Sequence, residues 1–98
     1  MLDQYIAQDQ EVAARIIDGE AIILTPSDGV LHNLNAIATY VWRLANGRRT
    51  LKEIIVSLCR EYDVTFSVAQ RDVVYFIKDM VAKKILFLSD LPIKRHLA

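Results

Sequence analysis

The sequence predicts an α+β domain in which a three-stranded antiparallel sheet is followed by three helices. Two turn signals, Asp18-Gly19 and Pro26-Ser27-Asp28-Gly29, punctuate short apolar runs in the first third of the chain. After Asn35 the apolar residues recur at three- and four-residue intervals, and two helix-start signatures follow, Thr50-Leu51-Lys52-Glu53 and Ser67-Val68-Ala69-Gln70. With 98 residues there is room for one core and one domain.

Residues 1–10 have weak periodicity and are expected to form an N-terminal arm that packs on the sheet or on another chain. A strand over 11–17 and another over 20–25 flank Asp18-Gly19, the preferred chemistry for a tight type I′ hairpin because both central residues need positive φ. Pro26 cannot donate to a ladder, and Gly29 closes the turn cluster before a third strand over 30–34. On that strand Val30, His32 and Leu34 share one face, while Leu31 and Asn33 share the other.

Asn35 is a suitable N-cap for a helix over 36–45, with Ile37, Val41 and Leu44 as its core stripe and Asn46-Gly47 as its stop. Trp42 reads as a core aromatic. The Thr50/Glu53 capping box opens a second helix that runs to Tyr62. Ser67 and Gln70 mark the start of a third, which continues to Lys84 and buries Val73, Phe76, Ile77, Met80 and Val81. Ile85-Leu86-Phe87-Leu88 is too short for a helix and reads as a strand or extended segment on the core, and the Pro92-containing tail over 89–98 has no expected fold of its own.

Hydrophobic residues make up 53% of the chain and charged residues 24%, which suits a globular domain and neither a disordered chain nor a membrane span. Twelve basic residues balance twelve acidic ones, so no general field favours nucleic acid or an anionic membrane. The N-terminus lacks the pattern of a secretory signal, so a cytoplasmic location is expected. Cys59, the sole cysteine, sits in the helical pattern Ile54, Ile55, Leu58, Cys59, Tyr62 and reads as a small core residue. His32 and His96 are far apart and join no metal-ligand motif, and no nucleophile–base pair or cofactor loop is legible. Neither a metal, a cofactor nor an enzymatic activity is expected.

Several short motifs, in order, resemble the PqqD family: Asp18-Gly19-Glu20-Ala21, the strand ending in Leu34-Asn35, Trp42, Asn46-Gly47-Arg48-Arg49-Thr50 with Glu53-Ile54, then Tyr62-Asp63-Val64, Asp72-Val73, Phe76-Ile77 and Ile85-Leu86. Their spacing spans most of residues 11–88. His32 departs from the pattern where many relatives carry an aromatic, as does Lys84-Ile85 where a helix-ending glycine is common. The resemblance implies a RiPP recognition element, a winged-helix-like domain that binds the leader of a ribosomally made precursor peptide and presents it to a modifying enzyme. For the family itself that enzyme is a radical SAM protein of pyrroloquinoline quinone biosynthesis, and close relatives serve lasso-peptide proteases and other maturation systems. It also implies a division into an arm over 1–10, a peptide-recognition domain over 11–88 and a tail over 89–98.

An extended peptide can add to an open strand edge through backbone hydrogen bonds, with alternate side chains entering pockets. The resemblance puts that edge at Val30, Leu31, His32, Asn33 and Leu34. It puts the facing wall on the third helix, where helical spacing selects Arg71, Val74, Tyr75, Lys78 and Ala82. Arg71 and Lys78 equally read as solvated charges, and Tyr75 as a half-buried packing residue. The competing reading is a winged-helix DNA-binding regulator using Arg71, Lys78, Lys83 and Lys84, against which stand Asp72, Asp79 and the neutral chain. An unpaired edge and an N-terminal arm also leave a homodimer open.

Overall fold

The computed structural model describes residues 1–94, so His96 lies outside the described residues. The order is β1 (Tyr5–Gln8), β2 (Ala13–Ile17), β3 (Glu20–Thr25), β4 (Val30–Asn33), α1 (Ala36–Leu44), β5 (Asn46–Thr50), α2 (Leu51–Tyr62), α3 (Phe66–Ala82) and β6 (Leu86–Ser89). The expected antiparallel sheet is β2-β3-β4, and the three helices follow it. No described helix is long and apolar enough to cross a membrane.

The β2–β3 hairpin turns through Asp18 at φ 52° and Gly19 at φ 79°, the two positive values that a type I′ turn requires. Along β3 the pleat buries Ala21, Ile23 and Thr25 and leaves Ile22 and Leu24 half-buried. Every residue of β2 is exposed, so the sheet projects from the body like a wing.

A second three-stranded sheet, β5-β1-β6, was not expected. Residues 1–10, read as an arm, supply its central strand, with Ile6 and Ala7 fully buried. Asn46-Gly47, read as a helix stop, begins β5, which pairs Tyr5 with Thr50 and Ala7 with Asn46. These strands are short, polar or non-alternating, and take their order from partners distant in sequence. Gly47 has φ +85°, and a Cβ there would lie 2.9 Å from Ile93 Cβ; Ile93 donates its N–H to the Gly47 carbonyl at 2.8 Å. Only glycine satisfies both constraints.

Asn35 caps α1 by accepting from Ala38 N–H at 2.8 Å. At α2 the predicted capping box is present, with Thr50 N–H donating to Glu53 Oε1 at 2.9 Å and Glu53 N–H to Thr50 Oγ1 at 3.2 Å. The Ser67/Gln70 box is corrected: Thr65 is the N-cap of α3, with no side-chain cap bond, and Ser67 lies inside the helix. The Thr65 carbonyl accepts from Ala69 N–H at 3.0 Å, starting the helical ladder two residues early. The helix ends at Ala82, two residues before the expected limit, where Ile85 N–H bonds the Met80 carbonyl and Lys84 N–H the Val81 carbonyl. With Lys84 at φ 60° this is a Schellman closure built without glycine.

The core lies between the two sheets and the helices, with Ile6, Ile23, Val41, Leu51, Ile54, Ile55, Ile77, Ile85 and Leu86 fully buried. Trp42 is buried as expected, with Nε1 unpaired among the described residues, and Cys59 packs half-buried against the cluster. Ile37 departs from its expected place in the core: it is 48% exposed. Val41 and Trp42 are buried on α1 as expected, Leu44 packs half-buried against the core, and Thr39 joins the buried face.

Candidate functional site

The wing has two edge strands, β2 and β4, and β4 is the one expected to bind; its residues Val30, Leu31, His32 and Asn33 pair with Thr25, Leu24, Ile23 and Ile22. Just beyond it Leu34 N–H donates to the Ala21 carbonyl at 2.9 Å. Antiparallel ladders alternate, so Leu34, His32 and Val30 direct their backbone groups toward β3 while Leu31 and Asn33 direct theirs to the free edge. Leu31 is 65% exposed and Leu34 is buried. The unpaired face of β4 therefore offers donors and acceptors from two residues.

Two anchors hold this strand. At its start, Asp28 accepts from Val30 N–H at 3.0 Å and from the Thr25 hydroxyl. These bonds, Thr25 first, together with the nearby His32, hold the Asp28 carboxyl below its usual range. His32 Nε2 lies 3.2 Å from the same Thr25 oxygen, which ties the strand's middle to β3. At its end, the buried Thr39 hydroxyl of α1 accepts from Ala21 N–H at 2.8 Å and donates to the Leu34 carbonyl at 3.2 Å.

Asn35, two residues past β4, lies at the margin of an apolar groove of about 260 Å³ between α1, the end of α2 and the start of α3. Ile37, Val41, Tyr62, Val64, Val68 and Phe76 form much of its wall, and Asp72 is its one charged residue. Tyr62 is propped by an edge-to-face contact with Tyr40 at 5.5 Å between centroids, and Tyr40 is fixed by a 2.8 Å hydroxyl bond to Ser57. Tyr62 is thus held in place in the wall of a groove that is open to solvent.

The residues singled out from sequence on α3 lie together elsewhere. Arg71, Val74, Tyr75 and Lys78 line a shallow depression of about 420 Å³ that no β4 residue borders. Tyr75 is 79% exposed, Ala82 is exposed, and Arg71 is paired with Asp72 at 3.2 Å. The apolar groove, which is lined by Asn35 two residues past β4 and by no residue of β4 itself, takes Val68, Asp72 and Phe76 from a different side of α3. Sequence reasoning assigned none of the groove residues to a site. The available signal was an excess of apolar residues, at Val64 and Val68, beyond the helical core stripes.

The fold and site define a small α+β domain with a free strand edge and, past its end, an apolar groove among the helices. Residues 20–86 match the family model described as coenzyme PQQ synthesis protein D (PqqD), and the chain belongs to that family. Among solved structures it is similar to TbiB1 in complex with the TbiA(β) leader peptide, at a TM-score of 0.76 and 26% identity, over 82% of this chain and 93% of that one. No curated protein gives a significant match.

Proposed function

We propose that this protein is a non-catalytic peptide-binding chaperone of the cytoplasm that captures the leader of a ribosomally made precursor by strand addition. The leader pairs with the outward backbone groups of Leu31 and Asn33, and an apolar side chain of the leader enters the groove past Asn35. The observation that carries this reading is the juxtaposition of a free edge and an apolar groove, in a chain similar to one solved with a leader peptide. The captured precursor is then presented to a maturation enzyme, either a radical SAM protein or a protease–cyclase system.

In this arrangement Val68, Asp72 and Phe76 form the α3 side of the site. Arg71, Val74, Tyr75, Lys78 and Ala82 form the alternative wall. Titrating the isotopically labelled protein with the leader encoded beside its gene tests both. Saturable amide shifts at residues 30–34, joined by Ile37, Val68 and Phe76 or by Val74, Tyr75 and Lys78, would identify the wall; an unmoved β4 would end the reading. The DNA-binding reading is weakened by two ion pairs on α3, Arg71 to Asp72 and Lys83 to Asp79, which reduce its free positive charge.

A further inference from the structure

The neutral total conceals a segregated charge. Residues 43–60 hold five cations, Arg43, Arg48, Arg49, Lys52 and Arg60, against one acid, Glu53. Three of them, Arg49, Lys52 and Arg60, line a concavity of about 380 Å³ on α2 and the end of β5, together with Glu53, Val56 and Ser57. The carboxylate of Glu53 is already committed to the Thr50 backbone and hydroxyl, which hold it below its usual range with a smaller contribution from Arg49. Arg49 donates Nη1 to the Leu44 carbonyl at 3.3 Å, which fixes its guanidinium stem at the end of α1. None of the five cations has an ion-pair partner among the described residues, where the salt bridges lie on α3.

We propose that this concavity docks an acidic segment of a partner protein, independently of the β4 edge. A protein segment fits it better than a nucleic acid: the cations surround an aliphatic residue, as charged rims surround apolar centres in protein interfaces, and no aromatic lines the concavity for a base to stack on. Arginines suit carboxylates because the planar guanidinium can bind both oxygens at once. Leu58 and Tyr62, which line the apolar groove, are on another side of α2 from Lys52, Val56 and Arg60. Both surfaces can therefore be occupied together. Glu61, exposed beside Arg60, would confine acidic side chains to the Arg49–Lys52 side.

The labelled protein would be titrated with a synthetic peptide of mixed glutamate and leucine, and separately with a short DNA duplex, at low and near-physiological salt. The acidic peptide is expected to shift the amides of Lys52, Val56, Ser57 and Arg60, and the double variant Lys52→Glu/Arg60→Glu to weaken it by about tenfold or more. Both substitutions are at exposed positions, so the thermal unfolding curve of the variant is expected to match that of the parent. Leader binding at β4 is expected to survive the double variant, so loss of one surface is distinguishable from loss of the other. Tighter binding of the duplex at these amides, peptide shifts located elsewhere, or an unchanged affinity in the double variant would overturn the proposal.

Discussion

The hydroxyl of Thr39 stands where a ladder bond would otherwise join Ala21 to Leu34. It accepts the Ala21 N–H at 2.8 Å and returns a bond to the Leu34 carbonyl at 3.2 Å, while the Leu34 N–H bonds the Ala21 carbonyl directly. One buried side chain of α1 thus completes the end of the β3–β4 ladder and fixes where the edge strand passes into the helix. Thr39→Val keeps the volume and removes the hydroxyl, leaving two buried backbone groups without that partner. A loss of about 2–4 kcal/mol in denaturant unfolding is expected. Thr39→Ser, which retains the hydroxyl, is expected to lose less than half as much.

The alternation of β4 makes a sharper test of strand addition. Proline at an edge is tolerated where the missing N–H faced solvent. Leu31→Pro is therefore expected to leave the protein folded, by circular dichroism, while weakening leader binding by at least about tenfold through loss of a donor to the added strand. His32→Pro removes an N–H directed toward β3 and is expected to destabilise the wing itself. Equal leader affinity in Leu31→Pro and the parent would exclude pairing at this edge.

Lys84 closes α3 in the left-handed region at φ 60°, a conformation that a side chain disfavours and glycine accepts. Lys84→Gly is expected to raise the stability by about 0.5–1 kcal/mol, after allowing for the greater freedom glycine gives the unfolded chain. Chemical unfolding of the two proteins at matched pH reads this directly. The same position was noticeable in the sequence, since family relatives commonly place a helix-ending glycine there.

Asp28 and Glu53 both have folded-state pKa values below their ordinary values of 3.8 and 4.5. For a depressed carboxyl, the stabilisation is fully present above the unfolded value and is lost as pH falls through the folded one. Stability is accordingly expected to decline as the pH drops below the ordinary values of the two groups and through their lowered folded-state values. Asp28→Asn and Glu53→Gln are each expected to flatten part of that decline, in unfolding curves collected across the acid range.

Local chemistry was the legible part of this fold. Asp18-Gly19, Asn35 and the Thr50/Glu53 pair act within a few residues of themselves, so their turn and caps follow from sequence alone. Tyr5–Gln8 and Asn46–Thr50 become strands by pairing with partners distant in sequence, with each other and, for Tyr5–Gln8, with Leu86–Ser89, and neither stretch has the alternation that would announce it. The candidate edge was readable because β4 inherits its register from adjacent turns. Its groove was not, since helical periodicity groups Ile37 with Val41 without revealing that no core residue covers Ile37. The role of Thr39 was hidden for a related reason: a hydroxyl in an apolar helix shows its partner only once the sheet is in place.

The placement of β1 at the centre of the second sheet sets an order of events during synthesis. Tyr5–Gln8 emerges before both of its partners, Asn46–Thr50 on one side and Leu86–Ser89 on the other. The β2–β3–β4 wing joins neighbours in sequence and can form while the ribosome is still extending the chain, whereas the second sheet must wait until Leu86–Ser89 has been made. Until then the apolar residues Ile6 and Ala7 have no permanent cover. Closure of β6 onto β1 is the step that turns a nascent wing and its helices into a finished domain.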